Sequence, residues 1–340
     1  MKNIYSMTLE KLEDYFLSIN EKKYKARQLF DWIYVKKIDN FDNITNIKKE
    51  VIEKLKSDFY FDKLEIVKKE VDVDVKKYLL KLHDDRTIEA VLMEHDYGNS
   101  LCISSEVGCN MNCSFCESGK IKKQRNVESG EMVSEIMAIE KDTGVRISHV
   151  VIMGIGEPFD NYDNIVDFIA IVNNPFGINL GSRHITVSTC GIVPKIYEFS
   201  DIPYQVNLAI SLHAPTDNLR SKLMPINKVY NIESLIESIK YYLSKTNRRV
   251  TFEYIMLDKV NDNPSDAMEL AKLLKGLNCY VNLIPYNETS GIEYKRSSKT
   301  RILEFYDTLK KNNINVTIRR EFGSKISAAC GQLKSSKEKV

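Results

Sequence analysis

The chain has 340 residues, of which 43% are hydrophobic and 28% charged. This composition supports one large domain with an appendage or two modest domains, and it excludes a disordered, collagen-like or disulfide-stapled chain. The net charge of +2, from 49 basic and 47 acidic residues, excludes binding to nucleic acid through bulk charge alone. The start Met-Lys-Asn-Ile-Tyr leads us to expect no secretory signal, and no apolar run approaches the roughly 18 residues of a membrane span. We expect no membrane partner and a location in the reducing cytosol.

The first 98 residues divide into two parts with different hydrophobic patterns. In residues 1–64, apolar residues such as Leu9, Leu12 and Phe16 recur at helical spacing, which predicts a small helical module with its own core. Residues 65–98 contain short runs of Val, Ile and Leu, which predict a β-rich extension.

Residues 99–320 alternate between β-rich runs and amphipathic stretches. The predicted strands are 148–153, 184–188, 206–211, 250–256, 280–285 and 316–319, and the predicted helices are 130–143, 161–173, 232–244, 264–274 and 300–312. This alternation predicts βαβ units and a parallel sheet. Because six strands are too few for an eight-stranded barrel, we expect an α/β fold with an incomplete barrel or an open sheet. Residues 321–340 form a separate C-terminal segment.

Basic residues gather in four places. They are Lys22, Lys23, Lys25 and Arg27; Lys120, Lys122, Lys123 and Arg125; Arg248–Arg249; and Arg319–Arg320. Each group taken singly is typical of a solvated helix face or turn. A group would indicate nucleic-acid binding only if it lay beside an active site.

Seven cysteines lie at positions 102, 109, 113, 116, 190, 279 and 330, four of them within 15 residues. A cytosolic protein has little use for so many disulfides, and the odd count argues against a purely disulfide framework. The local cluster therefore predicts metal binding or catalysis.

Cys109, Cys113 and Cys116 are separated by three and then two residues. A structural zinc site takes four ligands, commonly in pairs with a two-residue gap, and no fourth ligand is near. Three thiolates suit a 4Fe–4S cluster with one open iron, since each protein ligand takes one iron. The alternatives are three buried structural cysteines or an incomplete zinc knuckle. The triplet, with Phe115 in its aromatic position, resembles the radical S-adenosylmethionine (SAM) superfamily.

The segment Gly154-Ile-Gly156-Glu157-Pro158 follows the strand predicted to end at Met153. Glycines at a strand end let a ligand approach the backbone, and Glu157 offers a carboxylate to a cationic amine, although a tight turn would explain the glycines alone. At this distance after the triplet, the segment resembles the superfamily's motif for the amino group of SAM. The resemblance implies SAM contacts near the strand ends, where barrels bind ligands: Gly156, Glu157, Ser188, Ser211, Leu212, His213 and Asn287.

Two cysteines outside the triplet make the resemblance more specific. Cys102 lies in Leu-Cys-Ile-Ser-Ser-Glu-Val-Gly, and Cys330 lies in Ile-Ser-Ala-Ala-Cys-Gly-Gln-Leu. With the segments 154–158, 210–215, 222–227 and 282–287, they resemble the RlmN/Cfr family of adenosine methyltransferases from about Thr8 to Leu333. The resemblance implies an incomplete (β/α)6 radical SAM barrel at 99–320, an RNA-binding accessory domain at 1–64 and a C-terminal segment at 321–340 that carries the methyl-accepting cysteine.

The family's chemistry explains five of the cysteines. Carbon 2 of adenine is electron-poor, so it does not attack the methyl group of SAM as a nucleophile. A carbon radical can add to it instead. The resemblance implies that Cys330 takes a methyl group from one SAM, and that a second SAM, cleaved at the cluster, yields the radical that activates this methyl group. It further implies that Glu89 accepts the proton of carbon 2 and that Cys102 releases the product by forming a disulfide with Cys330. Without the resemblance, Glu89 is only a polar residue in a strand.

The resemblance implies formation of 2-methyladenosine at adenosine 2503 of 23S rRNA and adenosine 37 of tRNA, with an electron donor such as flavodoxin and a monomeric enzyme. Pro158 and Pro285 favour this branch. The alternative is the Cfr branch, which methylates carbon 8 of the same rRNA adenosine, and Phe322-Gly323-Ser324 is closer to that branch. A radical SAM activase of a protein partner would not need Cys102 or Cys330, and a non-catalytic iron–sulfur module is the remaining possibility. We expect Cys190 and Cys279 to be small buried hydrophobic residues.

Overall fold

The computed structural model describes residues 1–289, 291–319, 326 and 328–333. The predicted C-terminal segment is therefore described only in part, and Arg320 and Phe322-Gly323-Ser324 lie outside the described residues. No helix within the described ranges is long and apolar enough to cross a membrane.

The helices of these residues follow one another from the N-terminus. They are α1 Leu9–Ser18, α2 Tyr24–Tyr34, α3 Lys49–Asp58, α4 Ser129–Thr143, α5 Tyr162–Asn173, α6 Val193–Phe199, α7 Asp217–Leu223, α8 Ile232–Thr246, α9 Pro264–Leu274 and α10 Lys299–Lys311. The strands are β1 Lys2–Asn3, β2 Phe59–Tyr60, β3 Glu65–Asp72, β4 Val75–Lys81, β5 Thr87–His95, β6 Gly98–Ile103, β7 Glu106–Val107, β8 Arg125–Asn126, β9 Ile147–Ile152, β10 Ile185–Thr189, β11 Asn207–Ser211, β12 Val250–Met256, β13 Cys279–Pro285 and β14 Val316–Ile318.

One ten-stranded sheet organises the molecule, in the order β14-β13-β12-β11-β10-β9-β6-β5-β4-β3. The strands from β6 to β14 in this sheet pair in parallel, and α4, α5, α6, α8, α9 and α10 lie between successive ones along the chain. Six β/α units with a closing strand confirm the predicted α/β fold with a partial barrel. The expected count of six strands is wrong by one, because β6 also belongs to the parallel set.

The predicted β-rich extension continues the same sheet. Strands β3, β4, β5 and β6 form antiparallel hairpins, so β6 pairs with β5 on one side and with β9 on the other. Because an antiparallel neighbour needs only a tight turn and a parallel one needs a crossover, β6 is the strand at which the topology changes. The boundaries at 64/65 and 98/99 stay predictions.

Residues 4–6 pack on α4, ahead of the N-terminal helices α1, α2 and α3. The buried residues of these helices, among them Leu12 and Phe16, belong to the same continuous hydrophobic core as the barrel, so the expectation of a separate core is wrong. Gly130 explains the close approach: its amide N donates to the Ser6 hydroxyl at 3.1 Å, and a Cβ there would lie 2.5 Å from the Ser6 backbone nitrogen. The module is therefore fused to the barrel through shared apolar surface, whose burial stabilises both parts.

Several residues of the predicted basic groups form ion pairs with acids. Lys25 pairs with Glu21 at 2.5 Å, and Lys123 pairs with Asp160 at 2.8 Å. Arg125 donates to both oxygens of Glu131, at 2.7 and 2.8 Å. These side chains contribute to local ion pairs, and the basic clusters of the sequence overstate the free positive charge.

Candidate functional site

Two adjoining cavities lie at the C-terminal ends of the parallel strands, where barrel folds place their sites. The larger cavity, of about 150 Å³, is lined by the three clustered cysteines, Glu157 and His213, among others. The smaller cavity, of about 40 Å³, is lined by Cys102, Cys330 and mainly apolar side chains. Met153, Ile284, Arg319 and Cys330 line both cavities.

Backbone hydrogen bonds fix the conformation of the loop that carries the three cysteines. The amide N of Cys109 donates to the Ile121 carbonyl at 2.8 Å, and that of Cys116 donates to the Cys113 carbonyl at 3.1 Å. The Ser114 amide donates to the Leu223 carbonyl at the end of α7, at 2.9 Å. The loop is thus held to the barrel from both sides, with its three thiols lining one cavity.

The thiols fit an iron–sulfur cluster better than a single ion. Among the described residues, only Asp62, His83 and Glu131 bring three ligand atoms within 4.8 Å of one another. The cysteine sulfurs are therefore more widely spread than ligands of one zinc ion, which lie about 4 Å apart in tetrahedral coordination. In a 4Fe–4S cluster each thiolate binds a different iron, which requires that wider spacing.

The raised pKa values of the three thiols also favour a metal cluster as their partner. Burial raises the pKa of the Cys109 thiol to about 12 and raises the pKa of Cys113 and Cys116 above the usual thiol value. Such thiols become thiolates only beside a positively charged partner, and iron supplies that charge.

Glu157 is buried in the larger cavity, with 3% of its surface exposed. Its Oε1 accepts from the Phe159 amide at 2.9 Å, and its Oε2 accepts from the Cys190 amide at 2.7 Å. Burial raises the pKa of Glu157, although these hydrogen bonds oppose the shift. A buried carboxylate held in place by amide donors fits the ammonium group of SAM, whose charge it would balance.

The two glycines before Glu157 are required by the protein itself. A Cβ on Gly154 would lie 2.6 Å from the Ile103 carbonyl oxygen, and a Cβ on Gly156, where φ is +110°, would lie 2.6 Å from the Glu106 side chain. Packing within the protein therefore requires glycine at both positions, whether or not a ligand approaches the backbone there. These glycines let the loop after β9 pack directly against β6 and β7.

The strand ends bring further predicted residues to the larger cavity. Ser188, Ser211 and His213 line it. The Nδ1 atom of His213 accepts from the Ile255 amide at 3.1 Å, so Nε2 carries the proton of the neutral ring. Burial lowers the pKa of His213 to about 3. The imidazole is thus a neutral hydrogen-bond donor at physiological pH.

Leu212 and Asn287 lie elsewhere. Leu212 is fully buried in the hydrophobic core and lines neither cavity. Asn287 lines the smaller cavity, beside the two cysteines. Their assignment to SAM stays a prediction.

Contacts of the C-terminal residues place Cys330 between the cavities. The Gly331 carbonyl accepts from the Glu117 amide at 2.9 Å, and the Leu333 carbonyl accepts from the Ser118 hydroxyl at 2.7 Å. Residues 328–333 are therefore docked on the cysteine loop. Across the smaller cavity, burial raises the pKa of the Cys102 thiol to about 12, with the nearby Cys330 sulfur adding to the shift. All seven cysteines are free thiols.

Glu89 lies near the smaller cavity without lining it. It is buried on β5, and its Oε1 is 3.3 Å from the Lys77 ammonium nitrogen. Val91, which pairs with Cys102 and lines that cavity, is two residues away, so Glu89 is on the same face of the strand. Its backbone carbonyl accepts from the Ser104 hydroxyl at 2.7 Å.

Sequence reasoning did not place Cys190, Glu253 and Arg319, among others, in the larger cavity. Cys190 is buried as expected, yet it adjoins the Glu157 carboxylate. Glu253 interrupts the otherwise mainly apolar run of β12, which was the available signal, and its Oε2 accepts from the Asn282 amide group at 2.8 Å. The expectation of a solvated turn is wrong for Arg319, because its side chain lies between the two cavities.

Comparisons with known proteins agree with this geometry. Residues 103–273 match the Radical SAM superfamily, and residues 2–60 match the Ribosomal RNA large subunit methyltransferase N-terminal domain. A protein of Acholeplasma laidlawii (strain PG-8A) called probable dual-specificity RNA methyltransferase RlmN is 51% identical over 333 residues, which cover 98% of each chain. A Spiroplasma citri protein of the same name is 50% identical over 100% of this chain and 99% of its own.

A solved structure extends the likeness to the fold. The crystal structure of a radical SAM methyltransferase from Sphaerobacter thermophilus is 40% identical in sequence and superimposes with a TM-score of 0.92. The match covers 99% of this chain and 100% of that one.

Proposed function

This chain belongs to the RlmN family of radical SAM RNA methyltransferases, and we propose that it forms 2-methyladenosine at adenosine 2503 of 23S rRNA and adenosine 37 of tRNA. The family uses a 4Fe–4S cluster and SAM. The observation that carries the proposal is the meeting of two non-cluster cysteines, Cys102 and Cys330, in a cavity directly beside the three clustered ones.

Cys109, Cys113 and Cys116 would hold the cluster, and Glu157 would hold the amino group of SAM. Ser188, Ser211 and the Nε2–H group of His213 line the same cavity and offer neutral hydrogen bonds to the rest of the molecule. When bound and reduced, the cluster supplies the electron that cleaves SAM to a 5′-deoxyadenosyl radical.

Cys330 would carry the methyl group. Its sulfur lines both cavities, so it can take a methyl group on the SAM side and present it on the side of Cys102. One SAM supplies this methyl group and a second supplies the radical, so each turnover uses two.

Glu89 and Cys102 would complete the reaction. Glu89 is a buried carboxylate on the strand face beside the smaller cavity, which supports its role as acceptor of the carbon 2 proton. Cys102 would attack the Cys330 sulfur and form a disulfide as the bond between that sulfur and the methylene carbon breaks. The carbon would keep the electron pair of the broken bond and take up a proton, which gives the methyl group of the released product.

Carbon 2 is preferred over carbon 8 on two grounds. The relatives of about 50% identity are named RlmN, and Pro158 and Pro285, which favour that branch, line the larger and the smaller cavity respectively. We further propose a monomer in the reducing cytosol, with flavodoxin or a similar protein as electron donor.

Mass spectrometry of digested RNA tests the proposal. The reconstituted enzyme, given 23S rRNA fragments or tRNA that lack the modification, should produce 2-methyladenosine from both substrates. Production of 8-methyladenosine would support the Cfr-type alternative, and absence of any methylated adenosine would contradict both.

A further inference from the structure

Three of the five histidines of the chain and one tyrosine form a row of aromatic rings. His95 stacks on Tyr97, with ring centroids 4.6 Å apart and planes within 10° of parallel. Tyr97 meets His149 edge to face at 5.2 Å, and His149 stacks on His184 at 4.3 Å. This aromatic row draws its members from the β5–β6 hairpin, from β9 and from the residue before β10, so the fold alone brings them together.

The aromatic row begins one layer of side chains away from the thiol pair, on the cavity side of the sheet. Met93 lines the smaller cavity and pairs with Ser100, which pairs in turn with His149. Val151, two residues further along β9, pairs with Cys102. Because alternate residues of a strand share a face, His149 and Val151 point to the same side, about 7 Å apart along the strand.

Hydrogen bonds fix the orientation of two of the rings. The Nδ1 atom of His184 donates to the Ser148 carbonyl at 2.9 Å, since a carbonyl oxygen can only accept. The Ser148 hydroxyl donates to the Asn99 carbonyl at 3.1 Å, so its oxygen accepts from Nδ1 of His149 at 3.0 Å. Burial lowers the pKa of His149, with His184 and His95 adding to the shift. In the neutral rings, the Nε2 atoms are therefore acceptors.

The aromatic row is accessible at Tyr97, which has 67% of its surface exposed, and His184 is exposed as well. Arg146 and Arg183, both exposed, come directly before β9 and before His184, whereas Asp96 is the acid of the hairpin turn. An exposed planar ring near two exposed guanidinium groups suits a nucleobase and its phosphates.

We propose that the aromatic row is a stacking site for a nucleotide of the RNA substrate that adjoins the target adenosine. This role rests on the proposed function, which brings an adenosine to the thiol pair. The cysteine loop and residues 328–333 lie at the C-terminal ends of the strands, so the adenosine approaches Cys102 along the cavity side of the sheet, past the row. As the target base leaves its neighbours, Tyr97 replaces one of its stacking partners and offsets part of the cost of unstacking. The Nε2 acceptors of the histidines bind amino groups at base edges.

Binding of RNA to the cluster-loaded full chain tests the proposal. The probe is an unmodified anticodon stem-loop with adenosine at position 37. Tyr97→Ala should weaken binding about tenfold or more, which corresponds to roughly 1.4 kcal/mol and is the effect expected from losing one stacked base. Tyr97→Phe, which keeps the ring, should bind within about twofold of wild type.

Tyr197→Ala is the matched control. Tyr197 is an exposed tyrosine of α6 that packs on another tyrosine ring and lines neither cavity. This variant should bind the stem-loop as tightly as wild type does.

A fluorescent base reports stacking even if a variant is less stable. The emission of 2-aminopurine falls when it stacks on a ring, and it replaces the base on either side of position 37 in two further probes. At saturating protein, emission from one of these probes should be lower with wild type and Tyr97→Phe than with Tyr97→Leu.

Equal affinity of wild type and Tyr97→Ala, or equal emission with wild type and Tyr97→Leu at both positions, would overturn the proposal. A loss of affinity as large in Tyr97→Phe would also overturn it, because the hydroxyl group and not the ring would then be the cause. Mass spectrometry of the stem-loop after reaction with SAM separates the two levels: absence of methylated adenosine contradicts the proposed function, whereas the binding and emission comparisons stand by themselves.

Discussion

The two cavities share a wall but differ in chemistry. The larger one contains three clustered thiols, two buried acidic residues and a neutral imidazole, and such groups bind a charged cofactor. The smaller one contains two thiols among side chains such as Val91, Met93 and Leu333. The larger cavity is suited to holding iron and SAM, whereas the smaller one brings two thiols together beside it. Under the proposed function, the cavity that would generate the radical and the cavity that would use it are separated only by the residues that line both.

Loss of the cluster should disable one cavity and leave the other intact. Cys113→Ala removes a ligand, so the visible absorbance of the cluster and formation of 5′-deoxyadenosine should both be abolished. The thiol of Cys330 should remain reactive towards iodoacetamide, because residues of the smaller cavity are unchanged. Cys279→Ser is the matched control, since Cys279 lines neither cavity and is buried in the core. Wild-type SAM cleavage by Cys113→Ala would contradict the assignment.

A buried carboxylate outside both cavities should affect stability alone. Burial, with the Glu131 carboxylate adding to it, raises the pKa of Asp62 from 3.8 to about 6. The folded state therefore binds this proton more tightly than the unfolded state. The resulting stabilisation is present below about pH 4 and is lost as the pH rises through about 6.

Asp62→Asn should consequently raise the free energy of unfolding by about 1–2 kcal/mol at neutral pH. This gain is smaller than the full pKa shift would give, because the variant also loses the interaction with His83, which lies 3.9 Å from the carboxylate. Thermal unfolding at neutral pH and at about pH 5.5 checks this, and the gain should shrink at the lower pH. A variant that is less stable than wild type at neutral pH would show that the carboxylate is stabilised by its partners.

The sequence predicted what is local and missed what tertiary structure brings together. The spacing of Cys109, Cys113 and Cys116 is a local property, so the cluster loop was predictable. Strand β6 was missed because it follows β5 through a hairpin, without the preceding helix that marks the other parallel strands.

Glu253 and Arg319 illustrate the same limit in the site. They lie 66 positions apart in the sequence and meet at one cavity only because β12, β13 and β14 are adjacent in the sheet. From residue type alone, Arg319 was predicted to be a charged residue on the surface. The resemblance placed Glu89 and Asn287 near the reaction, but it could not show that they lie beside the cysteine pair and away from the clustered thiols.

The most direct test of the account is a gel and mass-spectrometric search for a covalent protein–RNA species in Cys102→Ala and Cys330→Ala. Because the role proposed for Cys102 is confined to release, Cys102→Ala should still be methylated on Cys330 and should accumulate a nuclease-sensitive adduct joined through that residue. Cys330→Ala has no sulfur to carry the methyl group and should form neither adduct nor methylated RNA. Normal turnover by Cys102→Ala, or an adduct in Cys330→Ala, would contradict the division of labour between the two cavities.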